Sequence, residues 1–278
     1  MTPLQRCVSL LIVALAFAAR IWALDFKPPH FDEGGNGAFT DAMRVTGFYS
    51  YDAGNYHGPL HFYTLFASQA LFGRNLWALR LPTVLIGTAA VALVFAFRRF
   101  FGFRAVACAA LFLAVSPGMV FYSRYAIHEM WLPFFTLLAI YGGLGIARDD
   151  ACKRDAWCFG LGVAGAILTK ETWLLHLIAA GLALGTIRFL SQVSGESLRR
   201  PRPAQLFGAA TTQPHENIAP SIENPVPAIT TGDYTRIAVV CYGLLIAFYS
   251  GFGFNWGGVS GMVTTFSHMV GKLSLIHI

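Results

Sequence analysis

The apolar stretch from Trp157 to Leu190 constrains this chain more than any other feature. Its 34 residues, wound as one helix, would extend about 51 Å at about 1.5 Å per residue, against a hydrocarbon core of about 30 Å. A single crossing cannot use that length, so the stretch is a helical hairpin. Lys170 and Glu171 stand near its middle and put the turn at Thr169-Lys170-Glu171-Thr172, expected on the outer face.

Further apolar runs cover residues 7–24, 81–97, 105–121, 131–147 and 237–254. With 55% hydrophobic residues, 12% charged and a mean hydropathy of +0.55, against about 25% charged in soluble domains, the chain reads as an all-α, polytopic integral membrane protein of about seven spans. Its net charge of +6 does not point to nucleic acid, because the basic residues fall in short clusters between apolar runs. Arg98, Arg99 and Arg104 form one such loop, and Arg148, Lys153 and Arg154 another; both are expected in the cytoplasm, with the N-terminus inside. Ala16-Phe17-Ala18 mimics a signal-peptide cleavage site, but Arg20 and Trp22 continue an interfacial helix end, and the first run is read as an uncleaved anchor. The five cysteines show neither a zinc spacing nor a disulfide framework.

This topology leaves residues 25–80 as one long outer loop. Residues 33–46 and the aromatic-rich segment from His57 to Phe66 are expected to lie in it as interfacial helices. Residues 191–236, rich in Ser, Pro and Thr, read as a cytoplasmic linker, and 237–271 as a further membrane segment.

The outer loop begins with an acidic pair, Asp32-Glu33, and two carboxylates beside a membrane are costly to dehydrate. They read as chemistry, or as the cap and dipole partner of a helix starting near residue 34. Gly34-Gly35-Asn36-Gly37 makes that helix a poor one, which favours the chemical reading. Arg124 and Glu129, five apart, would point about 140° from each other on a helix and need not pair. His128-Glu129 lacks the second His of a zincin, since Leu132 stands in its place. His57 and His61 read as interfacial polar residues rather than a metal pair. No cofactor or metal is called for, and neither a Gly-x-x-x-x-Gly-Lys-Ser/Thr loop nor an Asp-x-Asp motif is present.

The acidic pair, Gly58-Pro59-Leu60-His61-Phe62-Tyr63, Arg80-Leu81-Pro82, Ser116-Pro117, Ser123-Arg124-Tyr125-Ala126-Ile127-His128-Glu129 and Thr169-Lys170-Glu171 together resemble the membrane glycosyltransferases of the GT-C fold. The likeness covers roughly residues 7–190 and is to glycosyltransferase family 39, the protein O-mannosyltransferase and aminoarabinose transferase group, nearest its branch of flippase activity-associated glycosylation proteins. The resemblance implies a catalytic module over residues 1–190 in the plasma or inner membrane. It would transfer a sugar from a polyprenyl-phosphate carrier to a lipid, glycan or protein acceptor on the extracytoplasmic side.

In that scheme Asp32 takes the acceptor proton, with Glu33 beside it, and Lys170 meets the donor phosphate. Arg124, Glu129, Glu171 and His57 complete the substrate-binding set. Family members often carry an acid-Lys-Pro sequence where this chain has Tyr56-His57-Gly58-Pro59, so no lysine role passes to that position. The alternatives are a span-end anchor for Arg124 and a pair marking the turn for Lys170 and Glu171. The non-enzymatic alternative for the whole chain is a lipid-linked sugar flippase or its accessory. Leu273–Ile278 looks like a translated sequencing adaptor, and proteins of this family continue into further spans, so a truncated chain is expected.

Overall fold

The computed structural model describes residues 1–55, 57–193 and 229–275; most of the expected linker and the last residues of the adaptor-like tail lie outside them. Among the described residues the chain is helical, without strands. Helix α1 spans Pro3–Ile21, α2 Phe31–Thr46, α3 Leu60–Phe72 and α4 Leu76–Val94. A 3₁₀ turn, Phe95–Phe97, leads to the short α5, Arg98–Phe101. Then follow α6 (Phe103–Val115), α7 (Pro117–Ser123), a 3₁₀ turn at His128–Met130, α8 (Trp131–Ile146), α9 (Lys153–Ile167) and α10 (Trp173–Val193). After the undescribed stretch come α11 (Thr231–Tyr249) and α12 (Gly257–Leu275).

The run is interrupted where its charges stand, α9 and α10 flanking a turn at residues 168–172, and α9 packs on α8 and α11. The two segments expected to lie in the outer loop are helices too, α2 and α3. Three stretches among the described residues are long and apolar enough to cross a membrane: Pro3–Ile21, Leu76–Phe101 and His128–Ile146. A fourth, read from sequence as a single span over 105–121, is the pair α6–α7, bent by 59°. The other expected spans map to α9, α10 and α11. Charged residues in their first turns, Lys153, Arg154 and Asp155 in α9 and Asp233 in α11, shorten two of these as apolar runs.

The bend has a local cause and a distant remedy. Pro117 opens α7 and forces Ser116 into an extended conformation, ψ 122°, which frees the last carbonyls of α6. Arg20, fully buried, supplies the donors: Nη1 to the Ala114 carbonyl at 3.0 Å, Nη2 to that of Leu113 at 3.1 Å and Nε to Ser123 Oγ at 3.1 Å. Arg20 is thus a buried structural cation at the end of α1, whereas Trp22 is exposed. Pro82 inside α4 creates a similar vacancy at the Ala78 carbonyl, which Ser68 Oγ fills at 2.6 Å.

Helices α8 and α9 pack closely as an antiparallel pair. A Cβ on Gly142 would run into the α9 backbone at Phe159, and one on Gly162 into the α8 backbone at Ala139. Gly160-x-Gly162-x-x-Gly165 has the spacing of a dinucleotide fingerprint, yet it lies mid-helix, where its glycines accommodate Ile237, Ala139 and Phe135. The antiparallel course sorts the molecule's ends. Residues 147–153 and the arginine loop share one end, tied by Arg99 Nη1 to Asp155 at 2.6 Å and Lys153 to Asp233 at 3.0 Å. The starts of α4 and α8 and the 168–172 turn share the other end.

Candidate active site

The acidic pair lies in the first turn of α2, which runs through the glycines, so the poor helix does form. His30 caps it: its Nδ1 accepts the Asp32 amide at 3.2 Å, and its own amide donates to Glu33 Oε2 at 2.8 Å. From there the two carboxylates diverge. Glu33 is buried and accepts two bonds from Arg80, Nε to Oε1 at 2.8 Å and Nη2 to Oε2 at 2.7 Å, as well as the Ala126 amide at 2.7 Å. Arg80, equally buried, also donates to the Leu24 carbonyl at 2.6 Å and to those of Lys27 and Pro28, and lies over the Tyr125 ring. Glu33 therefore does the work expected of a helix-terminus carboxylate, tying α2 to α4 and to the loop before α8. Asp32, its side chain 60% exposed, faces a cavity of about 540 Å³.

The opposite wall of that cavity is His128-Glu129 with His57. His57 is held from the hairpin turn. The Gly58 amide donates to the Thr169 carbonyl at 3.2 Å and the Leu60 amide to that of Leu168 at 3.0 Å. This contact needs a glycine, because a Cβ on Gly58 would fall on the Leu168 and Thr169 backbone. It aligns His57 Nδ1 with Glu171 Oε2 at 3.0 Å, and Lys170 Nζ reaches Glu129 Oε1 at 2.8 Å. Glu129 and His57 thus line the cavity with Lys170 and Glu171 behind them, Lys170 in an ion pair with Glu129 and Glu171 within hydrogen-bond distance of His57. Arg124 is elsewhere, donating to the Ala19 and Ala23 carbonyls at 3.1 Å each, as an anchor of α1 would.

Beneath His57 the rings of His128 and His61 follow in tilted contact, with centroids 4.4 Å and 4.2 Å apart in succession. Neither ring nitrogen of His61 has a partner, nor has His128 Nε2. Burial pushes His61 down to about 4, so it is neutral at physiological pH. No group of three His, Cys, Asp or Glu side chains among the described residues is placed to hold a metal ion. Sequence reasoning gave no role to Arg80 or to Asn36, whose Nδ2 donates to the Ala126 carbonyl at 2.7 Å. A cation beside Pro82 at the start of a long apolar helix was the available signal for Arg80.

This bundle of apolar helices, with a cavity at one end that carries the exposed carboxylates Asp32 and Glu129, has the fold of a GT-C membrane glycosyltransferase. ArnT from Cupriavidus metallidurans, solved bound to undecaprenyl phosphate, shares it at a TM-score of 0.58 and 20% identity. The match covers 87% of this chain and 42% of that protein, so the chain spans less than half of ArnT's length. The chain belongs to the family described as dolichyl-phosphate-mannose-protein mannosyltransferase, whose profile matches residues 56–203. No curated protein matches it.

Proposed function

We propose that this chain carries the catalytic part of a transferase that moves a sugar from a polyprenyl-phosphate carrier to an acceptor hydroxyl on the extracytoplasmic side of the cell membrane. The observation that carries the reading is the division of the acidic pair: Glu33 is consumed by Arg80, and Asp32 is left exposed on a cavity large enough for a sugar. The acceptor oxygen attacks the anomeric carbon, the bond from that carbon to the phosphate oxygen breaks, and the phosphate leaves with the electron pair. Asp32 takes the hydroxyl proton as the new bond forms, a role worth about 10² to 10⁴ in rate. Lys170, one residue from the turn's anchor at Thr169, is the cation for the leaving phosphate. Glu33 acts through His30 and the α2 cap and is a positioning residue.

The test uses the natural full-length protein in liposomes with a labelled polyprenyl-phosphate sugar. Asp32→Asn is expected to keep donor binding while transfer falls at least about 100-fold, because the amide cannot accept the proton. A flippase needs no such base, so lipid translocation that survives the substitution, with transfer unchanged or never detected, would overturn the enzymatic reading.

A further inference from the structure

Among the residues lining the cavity, the carboxylates Asp32 and Glu129 are accompanied by no Lys or Arg. Such a lining repels a phosphate rather than welcoming it. The cation that could reverse this, Lys170, stands behind Glu129 and holds it at 2.8 Å, with side-chain exposures of 20% and 38%. A carboxylate oxygen at that distance occupies the position a phosphate oxygen would take on the same ammonium.

The two ends of this pair differ in freedom. The turn that carries Lys170 is fixed by the Gly58–Thr169 and Leu60–Leu168 backbone bonds and by the His57–Glu171 pair. The Lys170 ammonium, however, rides on a flexible four-carbon stem. Glu129 sits in the three-residue turn His128–Met130, between two buried neighbours, with its own carboxylate partly exposed. An exchange of partners therefore needs two side chains to rotate and no backbone to move.

We propose that Glu129 is a resident counter-ion: it holds Lys170 at the cavity rim in place of a phosphate and releases it when a phosphate-bearing lipid enters. The inference rests on the donor reading above and adds to it a gate, because an empty site keeps its cation neutralised. Entry of the lipid phosphate moves Lys170 into the cavity and frees Glu129 to accept from a hydroxyl there.

The natural full-length protein in nanodiscs, titrated with fluorescent farnesyl phosphate and separately with inorganic phosphate, tests this. Glu129→Gln is expected to tighten farnesyl phosphate binding about three- to tenfold, the scale of a partly exposed ion pair plus the repulsion removed. Lys170→Met is expected to weaken it about tenfold, and the double variant to behave as Lys170→Met alone. Glu129→Asp, which keeps the charge, should bind the probe no more tightly than the unaltered protein, separating charge from packing. Unchanged or weakened binding in Glu129→Gln, with Lys170→Met still weak, overturns the counter-ion and leaves the donor reading standing. Unaltered binding in Lys170→Met, together with unaltered transfer in Asp32→Asn, overturns both. Inorganic phosphate binding as tightly as farnesyl phosphate overturns the lipid as the displacing group.

Discussion

The two ends of the helical bundle treat their charges in opposite ways. At the basic end, Asp155 is buried yet bonded by Arg99 and by the Cys152 amide, and Lys153 closes on Asp233. At the cavity end, one carboxylate of an adjacent pair is buried and saturated while the other is exposed. The buried side-chain atoms without a partner among the described residues, on His61, Thr83, His128 and Trp131, belong to this half of the molecule. A burial left unsatisfied costs free energy. One of these residues, His128, lines the cavity directly, which marks this as the end kept for a ligand, whereas the ion pairs of the basic end mark it as scaffold.

The sharpest way to break this contrast is to attack the saturated carboxylate. Arg80→Met leaves Glu33 buried and unpaired, and about 3–5 kcal/mol of stability is expected to be lost, read as a drop in melting temperature in detergent. Asp32→Asn, one residue from Glu33, is expected to leave melting unchanged. Equal melting of the two variants would erase the distinction between them.

At the basic end the expected effect is smaller. Burial works to raise the Asp155 carboxyl, but the Arg99 guanidinium and the Cys152 amide and thiol outweigh it and hold the group below the usual carboxylate range. A depressed carboxyl contributes stability above its unfolded value of about 3.9 and loses it as the pH falls through the folded value. Melting followed from pH 6 down to pH 3 should therefore show a loss in the unaltered protein that is flatter in Asp155→Asn. Asp155→Asn itself is expected to cost about 1–3 kcal/mol at pH 6.

Gly58→Ala tests the coupling between the halves of the cavity wall. The methyl group must displace the 168–169 turn, so transfer is expected to fall several-fold, with a drop in melting temperature smaller than that of Arg80→Met. The smallest effect belongs to the exposed pair Arg74–Asp41, whose arginine side chain is 67% exposed. Arg74→Gln is expected to leave both melting and transfer unchanged, as exposed pairs generally do.

Much of the scaffold was legible because length and apolar content act locally. The Trp157–Leu190 run carried its own break, and residues 168–172 are where the helix is interrupted. The break at Ser116 was visible as a proline, yet the run around it stayed apolar, and what makes a bend tolerable is Arg20, about a hundred residues earlier. The acidic pair was legible as a pair. Which member is exposed was not, because the answer depends on Arg80, 47 residues away. The same holds for Arg124, whose partners are carbonyls at and just past the end of α1 and carry no sequence signal of their own.

Arg20 also imposes an order on biogenesis. Its acceptor at Ala114 lies 94 residues downstream, and at about 5–20 residues per second the ribosome needs about 5–20 s to deliver it. Through that interval the first apolar helix carries a guanidinium with only its own Ala16 carbonyl for company. Burial of that guanidinium therefore has to wait for the bent pair. A cysteine at Ala19 is expected to be open to a water-borne thiol reagent in chains arrested before residue 113 and protected in the completed, released chain.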